Sequence, residues 1–262
     1  MENWTIVTNL LQIWGLTFLF VLMSFSFYLL TKKMSVIDIF WGPFHLAQLS
    51  FTLFVIRPAF TPASIIFFSL VYLWGLRLAI YLYVRSRGKP DDQRYIKLST
   101  AWSGNLALNV LTRIFGGQFC ILLFTSLSLS LTAISSSRMA FDTSFFVGCA
   151  IAFIGLLYES IADFQLLRFK SKSFPNKKVM NLGLWAFSRH PNYFGEILFW
   201  WGIWAFSTQG QYWYIGLISP LTITYLLTRF SGVPMLEERY KDNPEYLEYI
   251  QTTNVLIPGR KK

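Results

Sequence analysis

The chain has 262 residues, 54% of them hydrophobic and 19% aromatic, with a formal net charge of +10 and two cysteines. So much apolar side chain exceeds what one water-soluble core of this length buries, which excludes an ordinary soluble domain and makes lipid the expected solvent. Cys120 and Cys149 fall in apolar runs with no His or Cys neighbour at ligand spacing, so neither a disulfide scaffold nor a metal site is expected.

In chain order, apolar windows long enough to cross a bilayer predict spans at residues 6–30, 36–56, 63–84, 114–134, 145–164, 193–206 and 212–230. The expected fold is all-α, a multi-pass integral membrane bundle of about seven transmembrane helices. The first run lacks a positive flank and is too long for a signal peptide, so it reads as a retained span. The sixth is short and turns through Ser207-Thr208-Gln209-Gly210-Gln211 into the seventh, which leaves a steep or re-entrant hairpin as an alternative. Orientation follows from the loop cations. One side carries Lys32 and Lys33, then Arg85, Arg87, Lys89, Arg94, Lys97 and Arg113, then Arg168, Lys170, Lys172, Lys177, Lys178 and Arg189, then Arg229, Arg239, Lys241, Arg260, Lys261 and Lys262. The other side has Arg57 and Arg138, and Arg77 lies within a span. Because positive loops stay inside, the amino terminus is expected outside and the carboxyl terminus in the cytosol. The setting is the cytoplasmic membrane of a bacterium, or the endoplasmic reticulum of a eukaryote.

Cations spread over every cytosolic loop, rather than gathered on one face, exclude nucleic acid as a partner. There is no GxGxxG after a strand, no GxxxxGK[ST], no GxSxG and no HExxH, which excludes soluble nucleotide-binding folds and zinc proteases. No repeat and no long cytosolic loop interrupts the pattern, so residues 1–262 read as a single membrane-embedded domain.

The polar groups within the spans carry the functional signal. Asp38 opens the second span, Arg77 lies about two turns from the cytosolic end of the third, with Tyr81 one turn on, and Glu159 and Asp163 stand at i and i+4 in the fifth. Asn192 and Glu196 repeat that spacing in the sixth. An ionisable residue in a span is unfavourable unless it is paired or faces a cavity. Structural pairing with Arg77 or Lys170 is one reading. The preferred one is a cytosol-facing polar cavity walled by these helices. Arg189 and His190 precede Pro191 at a helix start, where free N–H groups and the positive dipole end suit a phosphate or carboxylate. His45 has no evident partner and reads as structural, and Trp200, Trp201 and Trp204 read as packing or interfacial aromatics.

The run Ser188-Arg189-His190-Pro191-Asn192-Tyr193-Phe194-Gly195-Glu196, with Glu159-Ser160-Ile161-Ala162-Asp163-Phe164-Gln165 and the tail from Ser231-Gly232-Val233-Pro234 to Pro258, resembles the bacterial membrane-protein branch of the steroid 5α-reductase family. Ser35-Val36-Ile37-Asp38-Ile39-Phe40-Trp41-Gly42, Trp74-Gly75-Leu76-Arg77 and Arg87-Gly88 fit the same branch, so the likeness covers nearly the whole chain. It implies a seven-helix fold in which NADPH enters from the cytosol and a lipid-like enone or steroid enters through the bilayer. It implies that Asp163 contacts the cofactor, that Lys170 replaces a basic residue of the reductases, and that Asn192 and Glu196 hold the nicotinamide end. The implied cofactor-binding set is Glu159, Asp163, Lys170, Arg189, His190, Asn192, Tyr193, Glu196 and Arg229; the implied catalytic set is Asp38, Arg77 and Glu196. The glutamate and tyrosine that face the ketone in the steroid enzymes correspond most nearly to Asp38 and Trp74, and a tryptophan N–H donates a hydrogen bond but is no useful acid.

The Arg189-to-Gly195 run, with Leu236-Glu237-Glu238-Arg239-Tyr240 and Pro244-Glu245-Tyr246-Leu247-Glu248-Tyr249, is also similar to the isoprenylcysteine carboxyl methyltransferases and phospholipid methyltransferases. This alternative implies S-adenosylmethionine as cofactor, although Pro234 stands where an arginine is expected and Glu196 favours the reductases. A lipid-binding membrane protein without catalysis is the third reading.

Overall fold

The computed structural model describes residues 2–171 and 179–260, so Lys172, Lys177, Lys178, Lys261 and Lys262 of the expected cytosolic set lie outside the described residues. Every regular element among the described residues is helical. The order is α1 (Glu2–Thr31), α2 (Val36–Ile39), α3 (Trp41–Ile56), α4 (Pro62–Ser86), α5 (Gln93–Ser99), α6 (Leu106–Asn109), α7 (Gly116–Thr125), α8 (Leu127–Ile134), α9 (Thr143–Ser171), α10 (Pro191–Ser207), α11 (Trp213–Gly216), α12 (Ile218–Tyr225), α13 (Val233–Tyr240) and α14 (Pro244–Thr252). Wider π turns occupy Val110–Phe115, joining α6 to α7, and Leu226–Phe230 after α12.

Among the described residues, four stretches are long and apolar enough to cross a membrane: Ile6–Thr31, Pro62–Ser86, Leu106–Thr125 and Thr143–Ser171. Three expected spans differ in ways that local chemistry explains. The run 36–56 breaks at Phe40, because Pro43 has no N–H to offer the Ile39 carbonyl; the apolar helix begins only at Trp41. The run expected at 114–134 starts at Leu106, where the Asn105 side chain caps the Leu108 N–H at 3.0 Å. Arg113 hid this start, since a cation lowers hydropathy; its guanidinium lies over the Trp102 ring, 5.6 Å from the centroid. The run 212–230 is segmented around Pro220, which withholds a donor from the Gly216 carbonyl; the Ser128 hydroxyl donates there instead, at 2.7 Å.

The chain forms two compact units, one of Met1–Phe145 with Phe206–Ser219 and the other of Phe146–Ala205 with Pro220–Lys262. In the first, α3 packs on α1, α4 and α8. Its apolar core gathers Val21, Ile37, Phe44, Val110, Phe115 and Leu122. Beside this core runs a buried polar face of α3, where His45 bonds the Trp41 carbonyl at 2.9 Å and Gln48 donates to Ser130. In the second unit α9 and α10 touch backbone to backbone. A Cβ on Gly195 would lie 2.5 Å from the Glu159 nitrogen, and one on Gly155 2.5 Å from the Phe199 nitrogen, so only glycine permits this approach.

Candidate functional site

The α9/α10 contact places the i, i+4 pair of one helix beside that of the other. Asn192 donates from Nδ2 to Asp163 Oδ1 at 3.2 Å, and Glu159 and Asp163 are 4% and 3% exposed on a mostly apolar helix. Carboxylates this deep need donors, and the amide of Asn192 supplies one. Glu196, half-buried on α10, accepts from Trp200 Nε1 at 2.9 Å. Trp200, expected as packing, therefore holds the glutamate in place. Lys170, in the last turn of α9, and Arg229, in the second π turn, are exposed.

The loop before α10 is fastened on two sides. Trp185 Nε1 donates to the Ala162 carbonyl at 3.0 Å and the Leu184 N–H to Gln165 Oε1 at 3.0 Å, which tie it to α9. The Arg189 N–H donates to the Asn254 carbonyl at 2.8 Å, Ser188 Oγ to the Leu256 carbonyl at 2.7 Å, and the Tyr249 hydroxyl to the carbonyls of Trp185 and Ser188. These tie it to the tail.

Arg189 and His190 thereby end up buried, facing a carboxylate of this same chain. Arg189 Nη2 lies 3.0 Å and His190 Nε2 3.3 Å from Glu237 Oε1 on α13, while Arg189 Nη1 donates to the Ile250 carbonyl at 3.1 Å. The His190 ring stacks on Tyr193, 5.3 Å between centroids and 3° from parallel. Burial holds the His190 pKa below its ordinary value, and the hydrogen bond from His190, helped by Arg189, holds Glu237 below the usual carboxylate range.

The first unit holds a separate constellation around Asp38. The Tyr95 hydroxyl donates to Asp38 Oδ1 at 2.5 Å, and Arg94 Nη2 lies 3.0 Å from Oδ2. Asp92 caps α5 and also receives Arg94, at 3.1 Å. Asp91 accepts from the Met34 and Ser35 N–H groups at 2.7 and 2.9 Å, which pins the loop before α5 to the start of α2. Desolvation raises Asp38 above the usual carboxylate value against the opposing pull of Arg94 and Tyr95, and burial, with the Asp38 charge, pushes the Tyr95 phenol well up. Arg77 is half-buried on α4, and Trp74 is fully buried with its ring 5.4 Å from that of His45.

Reasoning from the sequence took Arg94 only as a loop cation and Glu237 only as part of the methyltransferase-like run, and missed Tyr95. Tyr95 lies 57 residues from Asp38, and Glu237 47 residues from His190, so no local spacing announces either pair. A carboxylate, an amide and a second carboxylate on touching helices suit a ligand rich in hydroxyl and amide groups, while the buried guanidinium suits an anionic one. One buried donor, Arg189 Nε, has no partner among the described residues.

Among the described residues the molecule is thus all-helical, with four helices long and apolar enough to cross a membrane and with buried polar clusters. The chain belongs to the family described as a protein of unknown function (DUF1295), whose model matches residues 24–253. Comparison with curated proteins and with solved structures returned no match.

Proposed function

We propose that this chain is a multi-pass membrane reductase, dependent on NADPH, that reduces an activated C=C bond of a lipid-like enone. On this reading the chain crosses the bilayer about seven times, with its amino terminus outside and its carboxyl terminus in the cytosol. The observation that carries the reading is the Asp38–Tyr95 pair. A carboxyl and a phenol sharing a short hydrogen bond form a proton-delivering device, which methyl transfer from a sulfonium does not require. The pair also supplies the phenol that Trp74 does not.

In this mechanism Glu159, Asp163, Asn192 and Glu196 hold the nicotinamide end of the cofactor, Trp200 orients Glu196, and Arg189 serves the phosphates. NADPH, when bound, supplies the hydride. Arg94 anchors Asp38, and Asp38 in turn orients the Tyr95 hydroxyl; a carbonyl oxygen gaining negative charge requires a proton or a hydrogen bond, which this pair would supply. The apolar helices keep water from the reacting bond. The likeness of residues 189–195 and 236–249 to the carboxyl methyltransferases, together with the Glu237 contact to Arg189 and His190, makes S-adenosylmethionine the second ligand to test.

Ligand-induced thermal stabilisation of the detergent-purified protein decides between them. NADPH at 100 times its dissociation constant should stabilise by about 2.7 kcal/mol, and S-adenosylmethionine should not. A shift with S-adenosylmethionine alone overturns the reductase reading.

A further inference from the structure

Behind the ion pair of Arg189 with Glu237 lie two buried donors that the fold leaves unsatisfied. Arg189 is 6% exposed and its Nε–H has no partner among the described residues; Tyr246, 5% exposed, has a hydroxyl in the same position. Tyr246 stands within electrostatic reach of both Glu237 and Arg189, and its ring packs against Tyr240, 5.1 Å between centroids. Burying a donor unpaired is unfavourable, so native proteins retain one where something else fills it. Glu237 itself is the least buried member of the group, its side chain 25% exposed against 5% for Arg189 and 1% for His190.

Glu237 also stands on a short helix of eight residues. Its helix α13 follows a π turn and Gly232, where any Cβ would collide with the Leu227 backbone, and then Pro234 in the first helical turn. Such a π turn and glycine junction is where a short helix changes direction at little backbone cost. A carboxylate has two oxygens, and here one of them, Oε1, serves both Arg189 and His190. A phosphate has more oxygens and more charge and can also engage the Nε–H and the Tyr246 hydroxyl.

We propose that Arg189, His190 and Tyr246 form a phosphate-binding subsite that Glu237 plugs in the unliganded protein, and that a phosphate group enters by exchange with Glu237 as α13 swings away. The inference deepens the NADPH reading above, on which it rests for the source of the phosphate. The exchange is neutral in its cations: Arg189 keeps a counter-ion throughout, so the buried guanidinium is never left uncompensated.

The test uses the full-length protein in detergent, titrated with inorganic pyrophosphate against sodium chloride of matched ionic strength and followed by thermal stability. Glu237→Gln removes the competing charge while keeping a hydrogen-bonding group; it should melt lower without ligand and bind pyrophosphate about tenfold more tightly than wild type. Tyr246→Phe removes a hydroxyl that has no hydrogen-bond partner among the described residues, so its melting temperature should not fall while pyrophosphate binds about tenfold more weakly. Equal affinities for wild type and Glu237→Gln, or a Tyr246→Phe protein that binds as wild type does, would overturn the exchange. Should Glu237→Gln fail to fold, Tyr246→Phe alone decides. A parallel NADPH titration separates the two readings. NADPH binding that follows the same variant pattern supports both. NADPH binding indifferent to both substitutions overturns the plug and leaves the reductase reading, and the pyrophosphate pattern without NADPH binding overturns the reductase reading and leaves the plug.

Discussion

On the proposed reductase reading, Tyr95 is the residue on which the chemistry turns. Its hydroxyl donates to Asp38, Arg94 holds the other carboxylate oxygen, and its ring is buried, so its side chain serves the polar pair as well as the core. Tyr95→Phe keeps the ring and removes the proton. Loss of a positioned general acid lowers a rate by about a hundredfold or more, whereas the cofactor residues are untouched; the variant should bind NADPH as wild type does and reduce an enone about a hundredfold more slowly. Equal turnover by stopped-flow NADPH oxidation sinks the proton-delivery role. Much of the polar set was legible in the sequence, because Glu159 with Asp163 and Asn192 with Glu196 sit at helical spacing in apolar runs, and such carboxylates have few innocent explanations. Their pairing was not read from the sequence; in the structure it rests on Gly195, where α10 meets the α9 backbone. Tyr95 was not legible, and Glu237 was legible only as part of the methyltransferase-like run, since each acts through a partner distant in sequence and each sits in a short polar helix that reads as ordinary loop.

Among the helices, α13 and α14 close the second unit over the loop before α10, and their grip depends on protonation. His190 is buried and neutral, with its pKa held below its ordinary value, and it faces Glu237, Arg189 and Tyr193. Between its folded pKa and the ordinary unfolded value of about 6.5, the unfolded chain binds the extra proton, so stability is fully present above that value and falls as pH drops below it. Glu237, also depressed, acts in the same direction at lower pH: its contribution is present above the unfolded carboxylate value and is lost as pH falls through its folded pKa. The melting temperature of the purified protein should therefore decline from pH 7 to pH 5, by about 1.4 kcal/mol of stability for each unit of His190 depression reached. His190→Gln should flatten the slope in that window; an unaltered slope assigns it to other groups. At this scale the sequence revealed apolar content better than helix ends. The runs at 6–30, 63–84 and 145–164 fall inside α1, α4 and α9, because uninterrupted apolar residues leave one solution in lipid. Prolines at 43 and 220 and the concealed start ahead of Arg113 moved the others, since a hydropathy window averages over the single residue that breaks or begins a helix.

For the whole molecule the question is which ends of the first unit face which solvent. Hydrogen bonds collect its loops into two sets. Thr61 Oγ1 donates to the Met139 carbonyl at 3.0 Å, and Gln209 exchanges bonds with Ala140 at 3.0 Å each way and donates to Asp142 at 2.8 Å, so the loops near residues 57–61, 139–142 and 207–211 share one end. The second set is joined by Asp91 to Met34 and Ser35 and by Lys33 to the Lys89 carbonyl at 2.5 Å, which unites residues 32–35 with 88–92. Arg57 and Arg138 are the basic residues near the first set, whereas Lys32, Lys33, Arg85, Arg87, Lys89, Arg94 and Lys97 crowd the second. On the proposed topology, the positive-inside bias puts the second set in the cytosol. Single cysteines at Ala59, Ser103 and Gln211, all exposed positions, test this in a background where Cys120 and Cys149 are replaced by serine, Cys120 being itself exposed. An impermeant maleimide added to sealed cells should label Ala59→Cys and Gln211→Cys, and should reach Ser103→Cys only after lysis. Labelling of Ser103→Cys in intact cells reverses the orientation. A labelled Ala59→Cys with Gln211→Cys silent both before and after lysis would instead mean that α10 to α12 re-enter without crossing, and the count of about seven would drop by two. Because Gln209 ties that turn to the 139–142 loop, the expected result is that both cysteines react from the same side.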